Sequence, residues 1–303
     1  VSMISMINPF FYKKINADIY HSQSPNLMST AALLGAKNKK HVITCRDPRK
    51  LYDWFVEIRD ATLKRAIRNV FLMFFEEGPL VKWTIKRADM VCYAATYLQE
   101  KIITMYGLSK PLYHLPNIIE TIPKNMPSKA KKPLVCFIGR LDKRKRPELV
   151  LEVAKNFPNV TFAIIGKAED KERQERLVNE MKQIPNIIYY NYVDKFKEQK
   201  KFYSIINPAW IMINTASREA YPLSFFEAGS RGCAFLSHVN PDNAAEKYGY
   251  WAEKEDFAQG LSHLLEKNMW RKKGRAAHAH YLKEFQRTNA VEKHVMLYKQ
   301  LLQ

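Results

Sequence analysis

Short runs of almost unbroken apolar residues, each followed by a longer amphipathic stretch, recur along this 303-residue chain and constrain its fold more than any other feature. In the second half the runs are Pro133–Gly139 (PLVCFIG), Val160–Ile165, Ile187–Tyr190, Trp210–Asn214 and Ala234–Ser237. Helical periodicity lies between and after them, over Pro147–Asn156, Glu169–Met181, Lys197–Ile205 and Leu223–Arg231. Strands apolar on both faces must be covered on both, and strands that alternate with helices pair in parallel. The spacing predicts an α/β protein with parallel sheets.

The first half repeats the alternation. Strands are expected at Ala17–His21, His41–Cys45, Met90–Tyr93 and Leu112–Asn117, with helices over Asn26–Leu34, from about Leu51 to Phe75, and over Thr96–Tyr106. After Glu120 comes TIPKNMPSKAKK, rich in proline and lysine and without apolar periodicity, as in a linker. The expected organisation is a domain over 1–122, a linker over 123–132 and a second domain over 133–280. Residues 281–303, helical over Val291–Leu301, are expected to pack back across the junction. Two Rossmann-like domains would face a cleft, with ligands at the carboxyl ends of the strands. The first is short, since a complete domain of this kind has about six strands.

Composition excludes several classes. Hydrophobic residues make up 47% of the chain, enough for two cores and too many for global disorder. Apolar stretches such as Val70–Phe75 and Trp210–Ile213 fall far short of the ~20 residues a membrane span needs. The opening VSMISMINPFFYKK lacks the order of a secretory signal, so a soluble, cytoplasmic protein is expected. The cysteines Cys45, Cys92, Cys136 and Cys233 are scattered and form no C-x-x-C pair, as expected of buried reduced thiols. No histidines have metal-ligand spacing, and no metal or cofactor is expected. A net charge of +19 predicts attraction to something anionic, with basic residues spread over both halves. Nucleic acid is disfavoured, because no aromatic–basic recognition motif accompanies the charge.

Two segments carry chemistry. In Gly139–Lys145 (GRLDKRK), Arg140 follows a buried strand and Lys145 precedes a helix opened by Pro147. A guanidinium and an ammonium beside a helix start suit a diphosphate. In Ser217–Cys233 (SREAYPLSFFEAGSRGC), Glu219 stands in the loop before a helix that starts near Pro222, and Glu227 lies about one turn into it. The amides near Leu223 and Ser224 have no intrahelical acceptor and can face an anion. Two carboxylates at such a place need hydroxyls or cations as partners, which a sugar and a ribose would supply.

These segments resemble the retaining glycosyltransferases of the GT-B fold, family 4. FIGRLDKRK is similar to that family's F-V-G-R-L-x-x-x-K loop, Val160–Gly166 (VTFAIIG) to its second strand and glycine turn, and Ser217–Cys233 to its E-x7-E signature. ADIYHSQSP, HVITCRDP and YHLPNIIE in the first half resemble its D-[IV]-[IV]-H-x-H segment, its T-x-H-D strand and its P-N-G-[VI]-[DE] hinge.

The resemblance implies a nucleotide-sugar donor (UDP- or GDP-sugar), transfer with retention, no catalytic metal, and a glycan or lipid-linked acceptor. It implies that Arg140 and Lys145 neutralise the diphosphate, Glu227 holds the ribose and Glu219 contacts the sugar. Gly139, Gly166, Ala220, Tyr221, Pro222, Leu223 and Ser224 complete the donor site. His21, Arg46 and Asp242 are expected to line the cleft, the alternatives being a structural hydrogen bond for His21 and a turn for Asp242.

The chain departs from the family pattern in several places. Ala220 and Pro222 stand where the family has glycines, Arg46 and Gln23 where it has histidines, and its N-terminal glycine-rich loop has no counterpart. The sugar is therefore unread, and a non-catalytic GT-B-like protein that binds a nucleotide sugar or a partner is the alternative function. The basic–apolar helix over Lys64–Phe75 is expected to pack its apolar side on the sheet; the resemblance instead implies peripheral contact with an anionic membrane.

Overall fold

The computed structural model of the chain describes residues 6–303, which divide into two compact units. One runs up to Ile118 and takes back Arg287–Gln303, and the other is Ile119–Gln286.

The first unit is built on four parallel strands in the order β1 (Ile19–Ser22), β2 (Lys40–Cys45), β3 (Met90–Tyr93) and β4 (Leu112–His114). Helix α1 (Pro9–Ile15) precedes them. The connections carry α2 (Leu27–Gly35), α3 (Leu51–Arg59), α4 (Leu63–Glu77), α5 (Pro79–Arg87) and α6 (Leu98–Tyr106). Helix α2 starts where it does because Asn26 and Ser29 form a reciprocal capping box. The buried side chains Val42, Met90 and Cys92 meet Leu115 and, from the last helix of the chain, Leu297.

The helical region expected from about Leu51 to Phe75 is made of two helices, broken at 60–62. The apolar stripe changes direction across the break: Leu51, Trp54, Phe55 and Ile58 share one face, and Leu63, Ile67, Val70, Phe71 and Phe74 lie about 150° round from it. Helix α4 packs against α3, and Asn69 Nδ2 donates to the Glu57 carbonyl at 3.0 Å. Asn69 is the buried residue of α4, whereas Leu63, Ile67, Val70, Phe71 and Phe74 are exposed. At 100° per residue this stripe lies about 140° round the helix from Asn69. The expectation that the apolar side packs on the sheet is thus corrected: the side that carries Asn69 meets α3, and the apolar stripe, on the far side of the helix, is left exposed.

The second unit has six parallel strands. In chain order they are β5 (Leu134–Ile138), β6 (Thr161–Ile165), β7 (Ile187–Tyr189), β8 (Ile211–Asn214), β9 (Ala234–Ser237) and β10 (Gly249–Trp251). Their spatial order is β10-β9-β8-β5-β6-β7. The chain winds outward from β5 to one edge, then returns beside β5 and winds to the other. The connection therefore reverses between β5 and β8, and in such sheets the ligand crevice opens there, at the carboxyl ends of the strands.

Helices α7 (Pro147–Asn156), α8 (Lys171–Lys182), α9 (Gln199–Ile206), α10 (Leu223–Gly229), α11 (Ala244–Tyr248), α12 (Phe257–Leu265) and α13 (Met269–Glu284) cover both faces. Alternation along β5 sends Val135 and Phe137 into one core, with α7, α8 and α12, and Cys136 into the other, with α9, α10 and α13. The last helix, α14 (Arg287–Leu302), belongs to the first unit.

The proline- and lysine-rich stretch ahead of β5 is held on the second unit. Ala130 N donates to the Pro208 carbonyl at 2.9 Å and the Trp210 indole donates to the Ala130 carbonyl at 2.8 Å. Lys129 Nζ donates to the Ala209 and Arg231 carbonyls at 2.6 and 2.9 Å. All four cysteines are buried and free. Among the described residues no helix is long and apolar enough to cross a membrane.

Candidate functional site

The loops that follow β5 and β8 flank the point where the winding reverses, and they are tied to each other. Ser217 N donates to the Arg144 carbonyl at 2.9 Å, Thr215 Oγ1 to the Lys145 carbonyl at 2.6 Å, and Arg146 Nε to the Thr215 carbonyl at 2.6 Å. The β5 loop is shaped by Asp142, whose side chain accepts from Lys145 N at 3.0 Å and caps the 3₁₀ turn Lys143–Lys145. Arg146 then takes a left-handed conformation (φ 47°) and Pro147 opens α7. Gly166, after β6, has φ 147°, and a Cβ there would meet the Gly139 carbonyl oxygen at 1.8 Å. Only glycine allows the β5 and β6 loops to come this close.

On this frame Lys145 Nζ pairs with Glu219 Oε1, both side chains being largely buried. Arg140 is more exposed; it bonds Asp142 at 2.9 Å and Glu169 at 3.4 Å. Pro222 is the N-cap of α10, so the cap itself brings no N–H, and Leu223 and Ser224 supply the first-turn amides. Ser224 is buried, and among the described residues its hydroxyl has no hydrogen-bond partner. Tyr221 packs on Phe226 (centroids 4.7 Å apart), and its hydroxyl meets that of Tyr281 at 3.2 Å. Burial drives the Tyr221 phenol well above its ordinary range, with the charge of Asp242 adding to the effect.

Glu227 is buried, and burial raises its pKa above the usual carboxylate range. Lys195 opposes that shift, its ammonium donating to Glu227 Oε1 at 2.7 Å. Sequence reasoning missed Lys195. It lies in the loop after β7, NYVDKFKEQ, where one lysine among 49 basic residues carries no signal of its own. The one available cue was positional: the loop opens at the same carboxyl edge of the sheet.

The second unit thus carries Gly139, Arg140, Lys145, Gly166 and Glu219 to Pro222 on the carboxyl-end loops of one sheet, and Leu223, Ser224 and Glu227 on the helix α10 that follows one of them. Asp242 sits after β9 in a left-handed turn (φ 50°), with its carbonyl accepting from Lys247 Nζ at 3.0 Å. His21 and Arg46 belong to the first unit. The His21 ring bonds Tyr298 Oη at 2.6 Å and Thr44 Oγ1 at 2.7 Å, joining α14 to β1 and β2. Its pKa is lowered to about 4 by burial, with His294 and Arg46 adding repulsion. Arg46 bonds Gln23 and Asn117. Among the described residues no group of three or more His, Cys, Asp and Glu is placed to hold a metal ion.

Such an arrangement can bind an anion between cations and amides and hydroxyl-bearing groups at its two carboxylates. Residues 118–279 match the model of the family described as glycosyl transferases group 1. The chain is similar in fold to sucrose-phosphate synthase from Thermosynechococcus elongatus (TM-score 0.71, 15% identity), covering 96% of this chain and 75% of that one. It is also similar to a variant of S. aureus TarM solved with fondaparinux, α-GlcNAc-glycerol and UDP (TM-score 0.67, 17% identity, 96% and 58% covered). A third similar structure is Anabaena HepE in complex with UDP-glucose (TM-score 0.66, 12% identity, 95% and 82% covered). The sequence has no match among curated proteins.

Proposed function

Because the chain belongs to the glycosyl transferases group 1, we propose that it moves a sugar, with retention at the anomeric carbon, from a nucleoside diphosphate donor to a glycan or lipid-linked acceptor. The observation that carries this reading is the knot between the β5 and β8 loops, which sets Lys145 against Glu219 at the reversal of the winding. Arg140 and Lys145 neutralise the diphosphate, Glu227 accepts from the ribose hydroxyls, and Glu219 accepts from the sugar. The amides of Leu223 and Ser224 face phosphate or sugar. As the anomeric C–O bond breaks, charge grows on the departing diphosphate, and cations already in place stabilise it. UDP-sugars come first as donors, since two of the similar structures hold UDP or UDP-glucose.

A thermal-shift screen of UDP- and GDP-sugars tests the donor site. A ligand at 100 times its dissociation constant stabilises by about 2.7 kcal/mol. With a turning-over donor in hand, Arg140→Ala is expected to lower kcat roughly 100- to 1000-fold. Tight binding without turnover over a broad donor panel would instead favour the non-catalytic alternative.

The exposed stripe of α4, with Leu51, Tyr52 and Phe55 of α3 also exposed, supports a peripheral contact with an anionic membrane. Lys50, Lys64, Arg68 and Lys82 lie on or beside these helices. Exposed apolar side chains on helices that also carry cations suit an acidic lipid surface.

A further inference from the structure

We infer that Lys195 is a positioning residue for the nucleoside, fixing the Glu227 carboxylate as an oriented double acceptor. The inference rests on the reading of Glu227 as the ribose-binding group. A carboxylate only accepts, and it can take both hydroxyls of a vicinal pair; a protonated carboxyl keeps a donor and loses half of that capacity. Glu227 is 8% exposed. At such burial the charged form is disfavoured unless a partner supports it. Lys195 provides that support at 2.7 Å, while its own side chain stays one-third exposed.

The loop that carries Lys195 is built to hold its root still. Asn191 takes the left-handed region (φ 58°) and its carbonyl accepts from Gly166 N at 2.9 Å, joining this loop to the one after β6. Val193 is buried as an anchor. Asp194 Oδ1 accepts from Phe196 N and Lys197 N at 2.9 and 3.2 Å, closing a turn around Lys195. The lysine therefore reaches Glu227 from a fixed backbone, through a flexible stem that lets it shift when hydroxyls arrive. A lysine that merely drew in the diphosphate would need none of this, and it would act equally on every nucleotide.

That difference gives the test. Calorimetry on the full chain would measure UDP, 2′-deoxy-UDP and 3′-deoxy-UDP (or the GDP series, if guanosine is the base bound) against the unaltered protein, Lys195→Met and Lys195→Arg. The unaltered protein is expected to bind the ribonucleotide about tenfold or more tighter than the deoxy forms, as for hydrogen bonds to a charged group. Lys195→Met is expected to lose most of that preference, weakening UDP about tenfold and the deoxy forms little. Lys195→Arg is expected to restore it, since it keeps the charge. Equal losses on all three nucleotides would overturn the inference and leave Lys195 as a general attractor of phosphate. If the unaltered protein bound ribo and deoxy forms alike, the role given to Glu227 would fail first. Absence of binding by both UDP and GDP would remove the donor site itself.

Discussion

Ser224 and Glu227 lie one turn apart on α10, both buried, and each is placed at an energetic disadvantage. An unpartnered buried hydroxyl costs about 1–3 kcal/mol relative to a satisfied one. Ser224→Ala removes that hydroxyl and puts a better helix former in its place. The variant is therefore expected to melt at the same temperature or higher without ligand, yet to gain less from a nucleotide sugar than the unaltered protein. A clear fall in the ligand-free melting temperature would show that the hydroxyl is structurally required. Glu219 and Glu227 were legible in the sequence because a strand end, a proline and a helix start give their spacing a geometry. Lys195 was not, because which lysine meets a given carboxylate depends on how the loops after β7 and β8 come together.

At the scale of elements, two partly buried titratable groups make the first unit sensitive to pH in opposite directions. His21 has a pKa of about 4 in the fold against 6.5 when unperturbed, so the unfolded chain binds the extra proton first. Its contribution is present above pH 6.5 and drains away as pH falls toward 4. His21→Gln is expected to flatten that loss, seen as a weaker pH dependence of amide exchange in α14, whose Tyr298 bonds the ring.

Glu77, at the end of α4, behaves in the reverse sense. Burial raises its pKa from 4.5 to about 7, against the Arg49 amide and the Tyr106 hydroxyl, which lower it. The fold then binds the proton more tightly than the unfolded chain, and stability declines as pH rises from 4.5 through 7. Glu77→Gln is expected to slow exchange in α4 and α6 at pH 8 and to change it little at pH 4; equal effects at both would rule out titration as the cause. Nothing in the residue pattern points to Glu77, since its environment depends on the Tyr106 hydroxyl of α6 reaching its carboxylate.

At the scale of the molecule, the chain has the GT-B type of composition in sheets: two parallel sheets in separate units, with α14 returned to the first. The net charge of +19 and the outward stripe of α4 act together on one expected behaviour, which is binding to anionic vesicles at low salt that weakens as salt screens the charge. Replacing Phe55, Phe71 and Phe74 by Ser should cut that binding in a sedimentation assay and leave the melting temperature almost unchanged, because all three rings are exposed. Failure to bind at low salt would sink the membrane contact. The alternation of apolar strands and amphipathic helices by itself determined the fold class and the strand-end loops, because a strand apolar on both faces has no stable place except inside a covered parallel sheet. The tertiary structure alone decided the outward turn of α4, the cation each glutamate meets and the orphan hydroxyl of Ser224. Periodicity fixes which residues share a face, but only packing between elements decides what that face meets.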